Sequence, residues 1–420
     1  MRAPGLRFHP PSVAFTPEVR WALLRAFGPV GRPVPEQLKR EEALDLAAAL
    51  DLSPRIAART PLPTLQAEMG EAGARSLLIT GATTAMISAG LLACARLVAG
   101  AARGLAIPVA FLKGTALRLA GVVEEGSRWL SDVDVLVPAA SARALADALT
   151  SLGFRFEDVP AQEYQLPPLV RGNAEMVEVH HVLHGVRLAE RRRYAELEEL
   201  RERNMLQRVA ELPGACFVPT RELHVAYVLV HGLAQHGLAP QGYPLTRMLA
   251  DLVDLGVGGA SGAAVLESAH ELIAGDVSWE EANAARALCV ALSAGDETVF
   301  SPDAAERPEV VLLRHAVAGL TDDGYRAALR LSLPWDVPTG QTPTLSFAKL
   351  AFHTVFLTRG QVDMIYGRPR SSLGYLGRRL ARPFDLAWRL ARYAASAITM
   401  RRQGSKKARA ERALPRNLGA

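Results

Sequence analysis

The chain has 420 residues, of which 49% are hydrophobic and 6% aromatic. That apolar share is enough for two or three domains with real cores, and the abundance of Leu and Ala points to a largely helical protein. Its formal charge of +5 is unevenly spread: from Arg359 onward 15 Lys and Arg face only Asp363, Asp385 and Glu411, whereas the remainder carries 33 basic residues against 40 acidic.

Residues 1–74 read as a helical lead-in broken by prolines. The opening "MRAPGLRFHPPSVAFTPEVR" lacks the apolar core of a signal peptide, and a cytoplasmic location is expected. In "PEQLKREEALDLAAALDLSP", Leu38, Leu44 and Leu46 fall on one stripe and Pro54 punctuates the end. The uncharged run 76–95, "SLLITGATTAMISAGLLACA", is long enough to cross a membrane. It is rich in Gly, Ala, Ser and Thr and has no second such segment after it, so a buried core helix ending near Gly104 is expected. Cys94, Cys216 and Cys289 are widely spaced and odd in number. They read as buried thiols in a reducing compartment.

An α/β or α+β domain is expected over 75–214. "IPVAFLK" (107–113) has strand character, and "TALRLAG" suits a short helix with Gly121 at its end. "RWLSDVDVLVP" (128–138) contains an acidic strand, "SARALADALTSLG" a helix stopped by Gly153, and "FRFEDV" and "AEMVEVHHVL" two more strands. From residue 215 the pattern turns helical. "TRELHVAYVLVHGLAQHG" starts near Thr220, "TRMLADLVDLG" ends at Gly256, "SGAAVLESAHELIAG" follows, and "SWEEANAARALCVALSAG" opens with Ser278 and Glu281 in capping-box spacing. This helical domain is expected to reach residue 400, ahead of a polar tail over 401–420.

The acidic strand raises the chemical question. Val133, Val135 and Val137 read as its buried face, which leaves Asp132 and Asp134 side by side on the other. Aspartate is poorly suited to strands, and like charges repel. A divalent cation explains the pair, because hard cations take carboxylate oxygens and phosphate substrates supply the rest. In "AEMVEVHHVL", Val177 and Val179 would face a core while Met176, Glu178 and His180 share the opposite face. If the two strands are neighbours, Glu178 joins the aspartates as a further ligand or as a base for an attacking hydroxyl. His180 can orient Glu178 or touch substrate. His181, His184, His224, His231 and His236 read as structural, and zinc is set aside because His180 and His181 point to opposite sides of a strand. "GVGGASGAA" (256–264) follows a helix and reads as a loop rather than a dinucleotide site.

"FLKGTALRLAG", "RWLSDVDVLV", "SLGFRF" and "VEVHHVL" together resemble the uncharacterised nucleotidyltransferase family of the polymerase-β-like nucleotidyltransferase superfamily. "LHVAYVLVHGLAQHG" and "RMLADLVDL" are similar to its helical half. The resemblance implies a polymerase-β-like α+β domain, a small mixed sheet with helices, set in a largely helical chain. It implies metal-binding and catalytic roles for Asp132, Asp134 and Glu178, with Mg2+ or Mn2+ as the ion and a nucleoside triphosphate such as ATP as co-substrate. Lys113, Gly114 and Thr115 stand where the wider superfamily holds nucleotide phosphates with a Gly-Ser pair. Gly114 would permit close backbone approach and Lys113 would add a point charge, unless it is a solvated strand-end lysine. Arg128 would pair with a phosphate or with Asp132. Seventeen residues (115–131) separate this turn from the acidic pair, where the wider superfamily has a short connection.

The expected activity is transfer of a nucleoside monophosphate to an unidentified acceptor hydroxyl. The alternative is an inactive nucleotidyltransferase-like binding or assembly module. Aromatics are sparse in the basic C-terminal segment, so nucleic acid is not an expected partner. "RPFDLAWRLARYAASAITMRR" could instead rest on an anionic surface.

Overall fold

The computed structural model describes residues 15–30, 37–157, 164–172, 175–188, 194–235, 244–273 and 277–321, with five isolated positions between 376 and 384. The chain divides into two units between Thr321 and Asp322. The part of the expected helical domain from 322 to 400, and the tail over 401–420, lie almost wholly outside the described residues.

The first unit opens with four helices: α1 (Pro17–Phe27), α2 (Arg40–Ala49), α3 (Ser53–Arg59) and α4 (Leu62–Gly104). Thr16 caps α1 by accepting from the amide of Val19, with Pro17 in the first turn, where its missing N–H costs nothing. Glu68 of α4 ties α1 down, accepting from Trp21 Nε1 and Arg25 Nε, each at 2.9 Å. The expected boundary at residue 75 falls inside α4, which breaks instead at Gly70, where φ is +71° and only glycine is unstrained. The helix over 76–95, expected as a buried core helix, is buried along one side only. Leu77, Leu91, Cys94 and Val98 are buried, but Ile79 (58% exposed) and Met86 (76%) lie on the surface. By length and composition alone α4 could cross a membrane.

A seven-stranded mixed sheet follows, with β1 (Val109–Phe111), β2 (Val133–Leu136), β3 (Arg155–Phe156), β4 (Leu169–Arg171), β5 (Glu175–His180), β6 (Leu206–Arg208) and β7 (Cys216–Pro219) in the order β3-β4-β5-β2-β1-β7-β6. Between them run α5 (Lys113–Leu119), α6 (Ala139–Ser151) and α7 (Leu197–Glu202). β2 is antiparallel to β1 and parallel to β5, and β1 is parallel to β7. The strands β4, β6 and β7 were not expected. β7 carries the sheet across residue 215, where the helical half was expected to begin.

Strand alternation divides the core in two. Val109, Phe111, Val133, Val135, Val177 and Val179 pack with Leu91, Val98 and Leu145 of α4 and α6. On the opposite face Ala110, Leu112 and Leu136 pack with Leu197 and Leu200 of α7 and with Leu223 and Tyr227. The last two belong to α8 (Arg221–Leu229), capped by Thr220 and continued by a π-helical stretch, Val230–Gln235. α9 (Leu245–Asp254), α10 (Gly262–Glu271), α11 (Trp279–Ala294) and α12 (Pro308–Thr321) complete the unit. Ser278 and Glu281 form the expected capping box on α11, and Gly295 ends it in the left-handed region. The N-terminal helices reach this half through Arg55–Asp254 and Arg247–Asp51 ion pairs at 2.7 and 2.6 Å.

Candidate active site

The pairing of β2 with β5 places the acids. Asp134 stands directly across from Glu178, and Leu136 across from His180. Asp132 immediately precedes β2, two residues from Asp134 and so on the same side. Because Val133, Val135, Val177 and Val179 fill the core on the other side, these polar residues are held on the face that α8 flanks. Asp134 and His180 are buried, while Glu178 and Asp132 are partly exposed.

One atom links most of the cluster. Asp134 Oδ1 lies 2.7 Å from Lys113 Nζ and 3.0 Å from His180 Nε2. Glu178 lies 3.7 Å from the same ammonium and 3.6 Å from the same imidazole. Burial alone would raise the Glu178 pKa, but the imidazole of His180 beside it and the charge of Lys113 outweigh it and hold the carboxyl at about 2. Burial alone would likewise depress His180, yet its bond to Asp134 and the nearby Glu178 carboxylate leave the pKa raised. Asp132 has the opposite balance: burial and the neighbouring Asp134 push it up to about 6. Lys113 is held charged, because the carboxylates outweigh its burial. Tyr164 stacks parallel to His180 with ring centroids 6.0 Å apart.

The 113–115 turn is arranged differently from a simple phosphate cradle. Lys113 sends its ammonium to the carboxylates. The close approach that Gly114 permits is taken up by the protein itself, since a Cβ there would stand 2.0 Å from Arg128 Nη1 and 2.5 Å from Leu130 Cδ2. Thr115 is buried and donates its hydroxyl hydrogen to the Asp132 carbonyl at 3.2 Å. The guanidinium of Arg128 meets Asp251 of α9 in a two-armed pair, Nε to Oδ1 at 2.6 Å and Nη2 to Oδ2 at 2.9 Å.

A model of the uncharacterised nucleotidyltransferase family matches residues 36–273, more than half of the chain. The chain belongs to that family. It is therefore a nucleotidyltransferase, and its match takes in part of the lead-in and most of the helical half as well as the sheet. No curated protein matches the chain. Among solved structures it is similar to the antibiotic-resistance factor ANT(2'')-Ia in solution, at 16% identity and a TM-score of 0.30, over 45% of this chain and 92% of that one.

Several residues of the candidate site were not given a role in it from sequence. Tyr227 is buried against the cluster, its phenol pushed well up by burial and by the carboxylates of Asp134 and Glu178 over the pull of Lys113. His224, read as structural, directs Nε2 to the Lys113 carbonyl oxygen at 3.2 Å. The two stand three apart on α8, a spacing that shares a helix face and could have flagged them. Asp251 lies in "RMLADLVDL", but nothing in that segment announces Arg128 as its partner. His184 packs at a tilt against Tyr164 and Tyr194, and burial lowers its pKa to about 4. His236 lies outside the described residues.

Proposed function

We propose that the protein uses a divalent cation, Mg2+ or Mn2+, to move a nucleoside monophosphate from a nucleoside triphosphate such as ATP to an acceptor hydroxyl. The observation that carries this reading is the parallel register of Asp134 against Glu178, with Lys113 reaching both. The two carboxylates suit a hard cation: one oxygen each from Asp134 and Glu178 lie within 4.8 Å of one another and of an imidazole nitrogen of His180. Asp132 adds a carboxylate beside them. Bound there, the ion would neutralise phosphate charge as it develops.

The chain's own groups then divide the work. Lys113 is the charged donor of its turn that faces the carboxylates, so it is assigned to the phosphates. Gly114, Thr115 and Arg128 are assigned to the frame that aims it. The acceptor oxygen attacks the α-phosphorus, the bond to the β-phosphate oxygen breaks, pyrophosphate leaves, and the hydroxyl proton passes to Glu178. A carboxyl held near about 2 is a weak base. Movement of Lys113 from Glu178 toward a triphosphate removes part of that hold and raises the basicity of Glu178 as the nucleotide arrives. Positioning and fixed charge supply the catalysis.

Calorimetry with Mg2+ and each of the four common nucleoside triphosphates tests the site, on wild type and on Asp132→Asn/Asp134→Asn. Metal-dependent binding that the double variant loses is the expected result. No binding of any triphosphate with Mg2+ or Mn2+ would overturn the reading, and binding without turnover against any acceptor would favour a binding module.

A further inference from the structure

Lys113 adopts a backbone conformation that a residue with a side chain seldom takes: φ is +47° where β1 passes into α5. Such a residue persists only where its surroundings hold it there. A return to negative φ would swing its Cβ and carbonyl together about the N–Cα bond, through more than a quarter turn. The ammonium would then leave the carboxylates.

The group in contact with this strained residue comes from the helical half. His224 is buried near the start of α8, and its Nε2 lies 3.2 Å from the Lys113 carbonyl oxygen. A carbonyl oxygen can only accept, so Nε2 carries the hydrogen. Burial, aided by the nearby Arg128 and opposed by Asp251, lowers the His224 pKa to about 4, so at neutral pH the ring has a single N–H and directs it here. The next residue is closely packed as well, since the guanidinium that Asp251 holds lies against Gly114.

We propose that His224 is a positioning residue of the active site: its Nε2–H holds Lys113 in the left-handed conformation and thereby keeps Nζ on Asp134 and Glu178. What Lys113 then does rests on the nucleotide-site reading; that His224 positions it does not. The helical half is thus part of the catalytic apparatus through a backbone hydrogen bond, without touching substrate at this point.

The test compares wild type with His224→Gln, which keeps a donor at similar reach, and His224→Met, which has similar size and no donor. Reductive methylation followed by peptide mass spectrometry reads the rate at which the Lys113 amine is modified, with exposed Lys39 as internal reference. Lys113 is expected to react slowly in wild type and His224→Gln, and about tenfold faster in His224→Met, where the bond is lost. His224→Met as slow as wild type, or His224→Gln as fast as His224→Met, would overturn the proposal. Should His224→Met fail to fold by circular dichroism, His224→Asn, whose amide is too short to reach the carbonyl, replaces it with the same expectation. Titration of each protein with the four common nucleoside triphosphates and Mg2+ or Mn2+ separates the two readings. If wild type binds none of them yet the labelling contrast holds, the nucleotide reading falls and the positioning role stands.

Discussion

The pair between Arg128 and Asp251 is a buried contact whose removal should cost much for a small change in volume. Asp251 is 1% exposed and the Arg128 side chain 9%, and the two-armed geometry at 2.6 and 2.9 Å leaves neither charge facing water alone. Asp251→Ala strands a guanidinium in a dry site, which costs about 3–5 kcal/mol, against a total stability on the order of 5–15 kcal/mol for a domain. The cost should reflect the orphaned charge more than the lost attraction, because desolvating both ions offsets much of what the pair gains. Replacing both partners, Arg128→Met with Asp251→Leu, should therefore recover more than half of the single-variant loss. Urea unfolding followed by circular dichroism measures each midpoint at constant slope. If Asp251→Ala costs less than about 1 kcal/mol, or if the double variant is no better than the worse single one, the pair is not the buried latch described here.

Three other outcomes follow from the same geometry. Gly114→Ala should destabilise by about 2–4 kcal/mol, since the new Cβ drives Arg128 off Asp251 and presses on Leu130, and thermal melts would read it. Lys113→Met should weaken triphosphate binding by about tenfold to a hundredfold in calorimetry; unchanged affinity would place the triphosphate elsewhere. Asp132→Asn should stabilise the folded protein at neutral pH. The Asp132 pKa is raised from an ordinary 3.8 to about 6, so the native state holds the proton more tightly than the unfolded chain and stability falls as pH rises through that window. The full effect corresponds to about 3 kcal/mol, and partial exposure brings the expected gain to about 1–2 kcal/mol above pH 7, vanishing below about pH 4. A gain that persists at pH 3.5, or none at pH 7, would refute the assignment.

The legible part of this fold is the part where local pattern and tertiary role agree. Alternation of valine with acid in 131–137 and 174–183 marked two strands and the face each presents, and helix punctuation by Thr220, Ser278 and Gly256 matched the caps found. β4 and β7 were missed because prolines flank or end these short runs, and β6 because Leu206–Arg208 is mostly polar; each takes its identity from its neighbours. The surface of α4 misled for a related reason. Its small and apolar residues run around the whole helix, and periodicity cannot say which side the sheet will take.

The same distinction runs through the site. Carboxylates on strands advertise themselves because their placement conflicts with local preference. The residues that frame the site from the helical half do not, because a histidine, a tyrosine and an aspartate on α8 and α9 break no local rule. What they do depends on a lysine 111 residues earlier in the chain than His224 and an arginine 123 residues earlier than Asp251. A long connection between the 113–115 turn and the acidic strand looks, in sequence, like a departure that weakens the site. In three dimensions it carries Arg128 back across Gly114 to Asp251. The extra length therefore supplies a buried strut between the sheet and the helical half. That strut and the His224 bond act on adjacent residues of one turn, so the geometry of Lys113 depends on both halves of the chain being folded together.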